Sequence, residues 1–318
     1  MTAQRITLDY SALDPAFWQG EKPKLDNISG AAWTGAHLWT ASDEGATIER
    51  LERVGDGFSA ARQYRLADYF DWLDPDRPER EADVEALAWD GERLWICGSH
   101  AIKRTQLGGV PDEVKAPRTL LGFLTLNKHG EPQSGVSLPR KEKTGSLLWA
   151  VEEDKGPLNA AIFEKQDWLD IEGFAVKGRY ALVGLRRPLI EGRAVIIRIE
   201  LKIGDELAIK EQDWGWAPMK TLDLGGLGVR DLLAAGEDAL IIAGPQVTAN
   251  GPYALYLWRT AFAGGAQARK LMDLPGDDTV KPEAMTLIDG RLLVINDGPQ
   301  QDPARPGVIS AYVYELTM

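Results

Sequence analysis

The chain has 318 residues, 44% hydrophobic and 26% charged, which is enough apolar material for a full core. A formal net charge of −12 argues against nucleic acid and anionic membrane surfaces as partners, and is compatible with cations. The single cysteine, Cys97, excludes a disulfide framework and, inside an apolar run, reads as a buried inert thiol.

In chain order, Met1 to Gly20 carries no basic stretch leading into an apolar core, and no later run approaches the ~18 apolar residues of a membrane span. The expected location is the cytoplasm. Arg5 to Tyr10 alternates and predicts a lone strand. Asn27 to Trp33 and His37 to Ser42 then predict two strands, and Thr47 to Arg53 with Ala61 to Leu66 a charged outer hairpin. The acidic run from Asp68 to Asp83 reads as a solvated loop or short helix without calcium-loop spacing. Asp83-Val84-Glu85-Ala86-Leu87-Ala88-Trp89 and Leu94 to Gly98 repeat the first two strands, followed by Thr119 to Leu126 and Ser134 to Leu138. Leu147, Leu148, Val151 and Leu158 recur at helical spacing and predict a helical insertion over Gly145 to Glu164, inside a segment of residues 139–168.

The pattern then returns three times. Asp170-Ile171-Glu172-Gly173 opens one copy, Gly228-Val229-Arg230-Asp231 a degenerate one, and Lys281-Pro282-Glu283-Ala284 the last. Each is followed by a turn and a second apolar run: Tyr180 to Gly184, Leu240 to Gly244, and Leu292 to Asn296. The copies recur every roughly 50 to 60 residues, stretched only where the helical insertion lies, and about 50 residues is the length of a four-stranded β-propeller blade. The expected fold is all-β: a single propeller domain over residues 1–318 with five four-stranded blades. Six is the alternative, if Arg118 to Phe163 hides a degenerate blade. The last copy has no fourth strand after Val308 to Glu315, so Arg5 to Tyr10 is expected to supply it and close the ring. Eleven Trp and 33 Gly suit short strands, tight turns and aromatic packing between blades.

These motifs resemble several propeller hydrolases, among them phytase-like esterases and gluconolactonase or regucalcin-type propellers. A closer likeness is to a bacterial β-propeller family of unknown function. It rests on Asp170-Ile171-Glu172-Gly173, Gly184-Leu185-Arg186-Arg187-Pro188, Gly98-Ser99-His100, Val229-Arg230-Asp231-Leu232 and Ala243-Gly244-Pro245, and spans Asn27 to Leu316. That resemblance implies a fold and no chemistry. Regucalcin-type propellers hold a divalent ion with Glu, Asn and Asp; here Arg230 stands at one equivalent position, which departs from that pattern.

Equivalent positions in a closed repeat face a common centre, so Ser29, Glu85, Glu172, Arg230 and Glu283 are expected to ring one mouth of a central channel. Asp43, His100, Arg186, Gln246 and Asp297, at the second-strand ends, are expected just outside it. Three carboxylates there need solvent, a shared proton, or a cation. Oxygen donors suit calcium or magnesium, making Glu85, Glu172 and Glu283 candidate metal ligands, unless Arg230 supplies the charge instead. His100 is the candidate general base. Arg186, Arg187, Arg230, Asp43 and Asp297 are candidate contacts for a small polar or anionic ligand; the two adjacent arginines equally suit balancing the glutamates. No organic cofactor is implied. Three readings stay open: an ion- or ligand-binding propeller, a metal-dependent hydrolase of an ester, lactone or phosphoester, and a protein-interaction scaffold.

Overall fold

A computed structural model of the chain describes residues 3–73, 81–102, 116–140, 144–165, 167–213, 215–247, 251–265, 267–277 and 279–316. The middle of the acidic run, 74–80, and residues 141–143 and 166 of the expected insertion lie outside them. The protein is all-β, built of four-stranded antiparallel sheets in the manner of a propeller. After β1 (Ala3–Asp9), the first sheet is β2 (Ile28–Trp33), β3 (Leu38–Ser42), β4 (Thr47–Val54) and β5 (Gly57–Arg65). The second is β6 (Val84–Trp89), β7 (Arg93–Gly98), β8 (Leu121–Leu126) and β9 (Pro132–Ser137). The third joins β10 (Asp170–Lys177), β11 (Tyr180–Arg187) and β12 (Ala194–Ile203). Both β13 (Leu207–Ile209) and β14 (Met219–Leu222) pair with different ends of β12. Then come β15 (Gly228–Ala235), β16 (Asp238–Gly244), β17 (Tyr253–Trp258) and β18 (Ala268–Leu274), and finally β19 (Lys281–Ile288), β20 (Arg291–Asp297) and β21 (Val308–Tyr314).

The second strands are continuous apolar runs because both of their faces are buried. On β7, Trp95 and Cys97 join the core shared with the third sheet, while Leu94 and Ile96 join the core shared with the first. On β16, Ala239, Ile241 and Ala243 face one neighbour, and Leu240 and Ile242 the other. A strand sandwiched between two sheets shows no polar alternation, which is why these runs stand out in the sequence. Trp39, Trp95 and Trp258 are fully buried in these cores, as is Cys97, whose thiol pKa burial pushes up. The helical segment, α1 (Leu147–Glu153) followed by turns over Pro157–Asn159 and Ala160–Glu164, fills the core between the second and third sheets with Leu147, Leu148, Val151, Leu158 and Ile162. Among the described residues no helix is long and apolar enough to cross a membrane.

The first strands touch in the order β2, β6, β10, β15, β19 and back to β2. Small residues allow this approach: a Cβ on Gly173 would sit 2.8 Å from Val229 Cγ1 and 3.0 Å from the Leu232 amide. The N-terminal strand pairs where expected, antiparallel to β21 from Ala3 opposite Tyr314 to Asp9 opposite Val308. It also makes a contact that alternation alone does not reveal. Leu8 and Asp9 pair in parallel with Phe58 and Ser59 of β5, so the first and last groups of strands form one eight-stranded sheet.

Leu8 is fully buried where β1 bridges these groups, so its truncation tests that junction. Leu8→Ala should cost about 2–5 kcal/mol in denaturant titration. Arg5→Ala, which loses only a part-exposed bond to Ser310 (2.6 Å), should change stability by no more than about 0.5 kcal/mol.

Candidate functional site

All the first strands share one irregularity. Pairing with the second strand slips by one residue between Ile28 and Gly30, Val84 and Ala86, Ile171 and Gly173, Val229 and Asp231, and Pro282 and Ala284. The residue left unpaired by each bulge is Ser29, Glu85, Glu172, Arg230 and Glu283 in turn. A bulge bends the strand and re-aims the extra side chain, so the repeat delivers five equivalent side chains to one end of the contacting first strands.

Four of the five are buried and paired, although Arg230 Nε, Glu172 Oε2 and Glu283 Oε1 are held by ion-pair proximity and not by a well-formed hydrogen bond. The Ser29 hydroxyl donates to the Val84 carbonyl of the neighbouring strand (2.5 Å). Arg230 Nε lies 2.9 Å from Glu172 Oε2, and its Nη2 pairs with Glu283 Oε1. Arg186 Nη1 donates to the other oxygen of Glu172 (2.8 Å), while its Nε donates to the Gln246 carbonyl (3.0 Å). Arg186 also lies 3.8 Å from Asp170, and Arg187 Nε donates to Asp170 Oδ2 (3.3 Å). The result is an alternating row: Arg187, Asp170, Arg186, Glu172, Arg230, Glu283. Arg186 thus lies between Asp170 and Glu172.

Glu85 differs. Among the described residues it has neither a hydrogen bond nor an ion pair, and it is the most exposed of the five. Crowding by protein, reinforced by Asp83, Glu172, Asp43 and Asp170, holds its pKa well above the ordinary carboxylate range. Asp43 is part-exposed and likewise raised, by desolvation and then by Asp297 and Asp83, and its Oδ1 is buried without a hydrogen-bond partner. Asp83, held in the left-handed region at φ 52°, bonds Ser99 and lies 3.4 Å from Arg118; burial and Glu81 lift its pKa to about 7. Asp297 is met by Lys281 Nζ (2.8 Å).

The remaining sequence-derived positions fall as follows. His100 is 1% exposed, its Nδ1 bonds the Gly98 carbonyl (2.9 Å), and burial lowers its pKa to about 4. It is thus a neutral, enclosed imidazole near neutral pH, where a general base needs access and a higher pKa. The glutamates expected to ligate calcium or magnesium are not gathered round one point. Arg230 stands between Glu172 and Glu283, and the described residues contain no group of three or more His, Cys, Asp or Glu side chains placed to hold a metal ion. Asp231 was missed. Its carboxyl accepts the Leu232 amide and, across to β19, the Met285 amide (both 2.7 Å), tying two sheets together. Its place after the bulge, where the other copies carry Gly or Ala, was the available signal.

The fold and this ring define an all-β protein of the propeller class, with a buried charge cluster at one end of its inner strands. The chain belongs to the family described as protein of unknown function, DUF3616, which it matches over residues 27–129 and 122–307. Among solved structures, Myxococcus xanthus glutaminyl cyclase is 12% identical over 100% of both chains, with a TM-score of 0.42. The GH43 endo-arabinanase from Bacillus licheniformis is 10% identical over 95% of this chain and 97% of that one, at 0.42. A putative 6-phosphogluconolactonase from Bacteroides fragilis is 9% identical over 97% and 93%, at 0.38. No curated protein matches the chain.

The raised Glu85 pKa makes stability depend on pH. Between the ordinary carboxylate range and Glu85's raised one, the folded protein holds a proton that the unfolded chain has released, so stability falls as pH rises through that window. Glu85→Gln should remove this contribution, so that its melting temperature gains on that of the wild type as pH rises above about 4.5. Arg230→Met should do the reverse at pH 7, costing about 3–5 kcal/mol in chemical denaturation because two buried carboxylates lose their countercharge.

Proposed function

We propose that the protein is a five-bladed β-propeller that binds a small polar ligand bearing a cationic or hydrogen-bond-donating group where Glu85 stands. Five blades rest on the closed order of first-strand contacts and on β1 serving as fourth strand beside β21. The helical character of Leu147–Glu153, in place of strands, weighs against a sixth.

One observation carries the ligand reading: in a ring whose other members are buried and partnered, Glu85 is part-exposed and partnerless, with acids around it. Asp43, with a buried unpartnered oxygen, adds a second acceptor on the same side. Leaving a carboxyl there without a partner is costly, and a group that donates to it relieves the cost. An organic ammonium needs fewer oxygen donors than calcium or magnesium does, which favours it over a metal ion at this site. A second reading, hydrolysis of an ester or lactone, draws on the same acid: a carboxyl whose hold on its proton is raised by its surroundings is suited to donate that proton to a leaving group.

Thermal melts of wild type and Glu85→Gln with ethanolamine, spermidine, calcium chloride or magnesium chloride test the binding reading. A concentration-dependent rise with at least one probe in the wild type, lost in Glu85→Gln, is expected. An equal response of both proteins, or none from any probe, would overturn it.

A further inference from the structure

Outside the ring, an open pocket of about 460 Å³ lies among the segment before β10, the end of β11, and the loops flanking β15 and β16. Its walls include Trp168, Arg187, Leu227, Pro245, Gln246 and Val247. That volume suits a small molecule. The geometry points to a second binding site here, for a flat molecule carrying a carboxylate or phosphate monoester.

Arg187 is built for that task. Its guanidinium carbon stands 4.4 Å from the Trp168 ring centroid, and its Nε is anchored to Asp170. These contacts hold the plane of the fork, so little rotamer freedom remains to be lost on binding. The terminal nitrogens make no bond among the described residues, and the side chain is 17% exposed. Arg187 is also the end of the alternating row. Arg186 and Arg230 each lie between two carboxylates, whereas Arg187 meets only Asp170, which Arg186 also approaches. A carboxylate or phosphate completes the series by accepting two parallel hydrogen bonds from the fork.

The rest of the pocket specifies the body of the ligand. Leu227, Pro245 and Val247, the last 61% exposed, give an apolar wall, and Trp168 an aromatic edge. A flat apolar group buries surface against them, which a bare inorganic anion does not. Asp167, exposed on the rim with Oδ1 accepting the Trp168 amide (2.7 Å), repels additional negative charge and so favours the singly charged carboxylate over a phosphate monoester.

Calorimetry on the full chain with benzoate, phenyl phosphate and neutral benzamide tests the assignment. At least one anion should bind, about tenfold or more tighter than benzamide, because the charge-assisted pair is absent from the amide. The benzoate and phenyl phosphate arms separate the two oxyanion types. Arg187→Lys keeps the charge but loses the fork, and should weaken the bound anion about tenfold. Should that variant fail to fold, Trp168→Leu serves instead and should weaken binding by a similar factor through the lost aromatic face. Glu85→Gln should bind the anion as the wild type does, which keeps this site distinct from the one in the ring. Binding of neither anion, equal binding of benzamide, or an anion affinity unchanged in a folded Arg187→Lys or Trp168→Leu would overturn the assignment.

Discussion

The structure turns on a row of six alternating charges: Arg187, Asp170, Arg186, Glu172, Arg230 and Glu283. It starts on the third sheet, crosses to β15 through Arg230 and ends on β19. A buried ion pair on its own roughly breaks even against desolvation, but removing one member of a buried set strands the others. The row therefore fixes how three groups of strands sit against one another more than it adds to stability. It depends in turn on the bulges: with regular pleating, each first strand would send Glu172, Arg230 and Glu283 toward a neighbouring core instead of to a shared end.

Much of this was legible in the sequence, for a physical reason. Second strands buried on both faces become uninterrupted apolar runs, and rotation about a common axis repeats them at a fixed interval, so the strand groups and equivalent positions 29, 85, 172, 230 and 283 can be read directly. What cannot be read is register. A bulge adds one residue to one strand without a composition of its own, so re-aiming was inferred only from rotation. The parallel pairing of Leu8 with Phe58 is invisible for the same reason: two residues of contact leave no pattern. The three-residue strand Leu207–Ile209 is likewise too short for alternation to register.

The chemistry was less legible, because charge at a site is a sum over neighbours far apart in sequence. Glu85, Glu172 and Glu283 look equivalent in the repeat. They are not equivalent in space: Arg230 lies between the last two, while Glu85 faces Asp83, Asp43 and Asp170. Asp170 and Asp83 flank the repeat motif and read as strand-opening residues, yet one is a link in the row and the other pairs with Ser99 and Arg118. His100 attracted notice as one of three histidines, but its backbone lies in the left-handed region and its ring is turned to the Gly98 carbonyl, inside the protein.

The same row leaves two charges of opposite sign, Glu85 and the outer end of Arg187, outside its full pairing. Pairing in alternation leaves the ends of a series less satisfied than its middle, and the Arg187 end opens into the pocket beside Trp168. Glu85 sits beside the row without joining it, because both cations on its neighbour Glu172 are already shared, Arg186 with Asp170 and Arg230 with Glu283. Neutralising Glu85 internally would take another arginine at a bulge, and the one bulged position left, on β2, holds Ser29, which bonds the Val84 carbonyl. A cation there would close the ring as a purely structural cluster. Serine instead bonds a neighbouring carbonyl, so Glu85 stays without an ion pair among the described residues while Glu172 and Glu283 share Arg230.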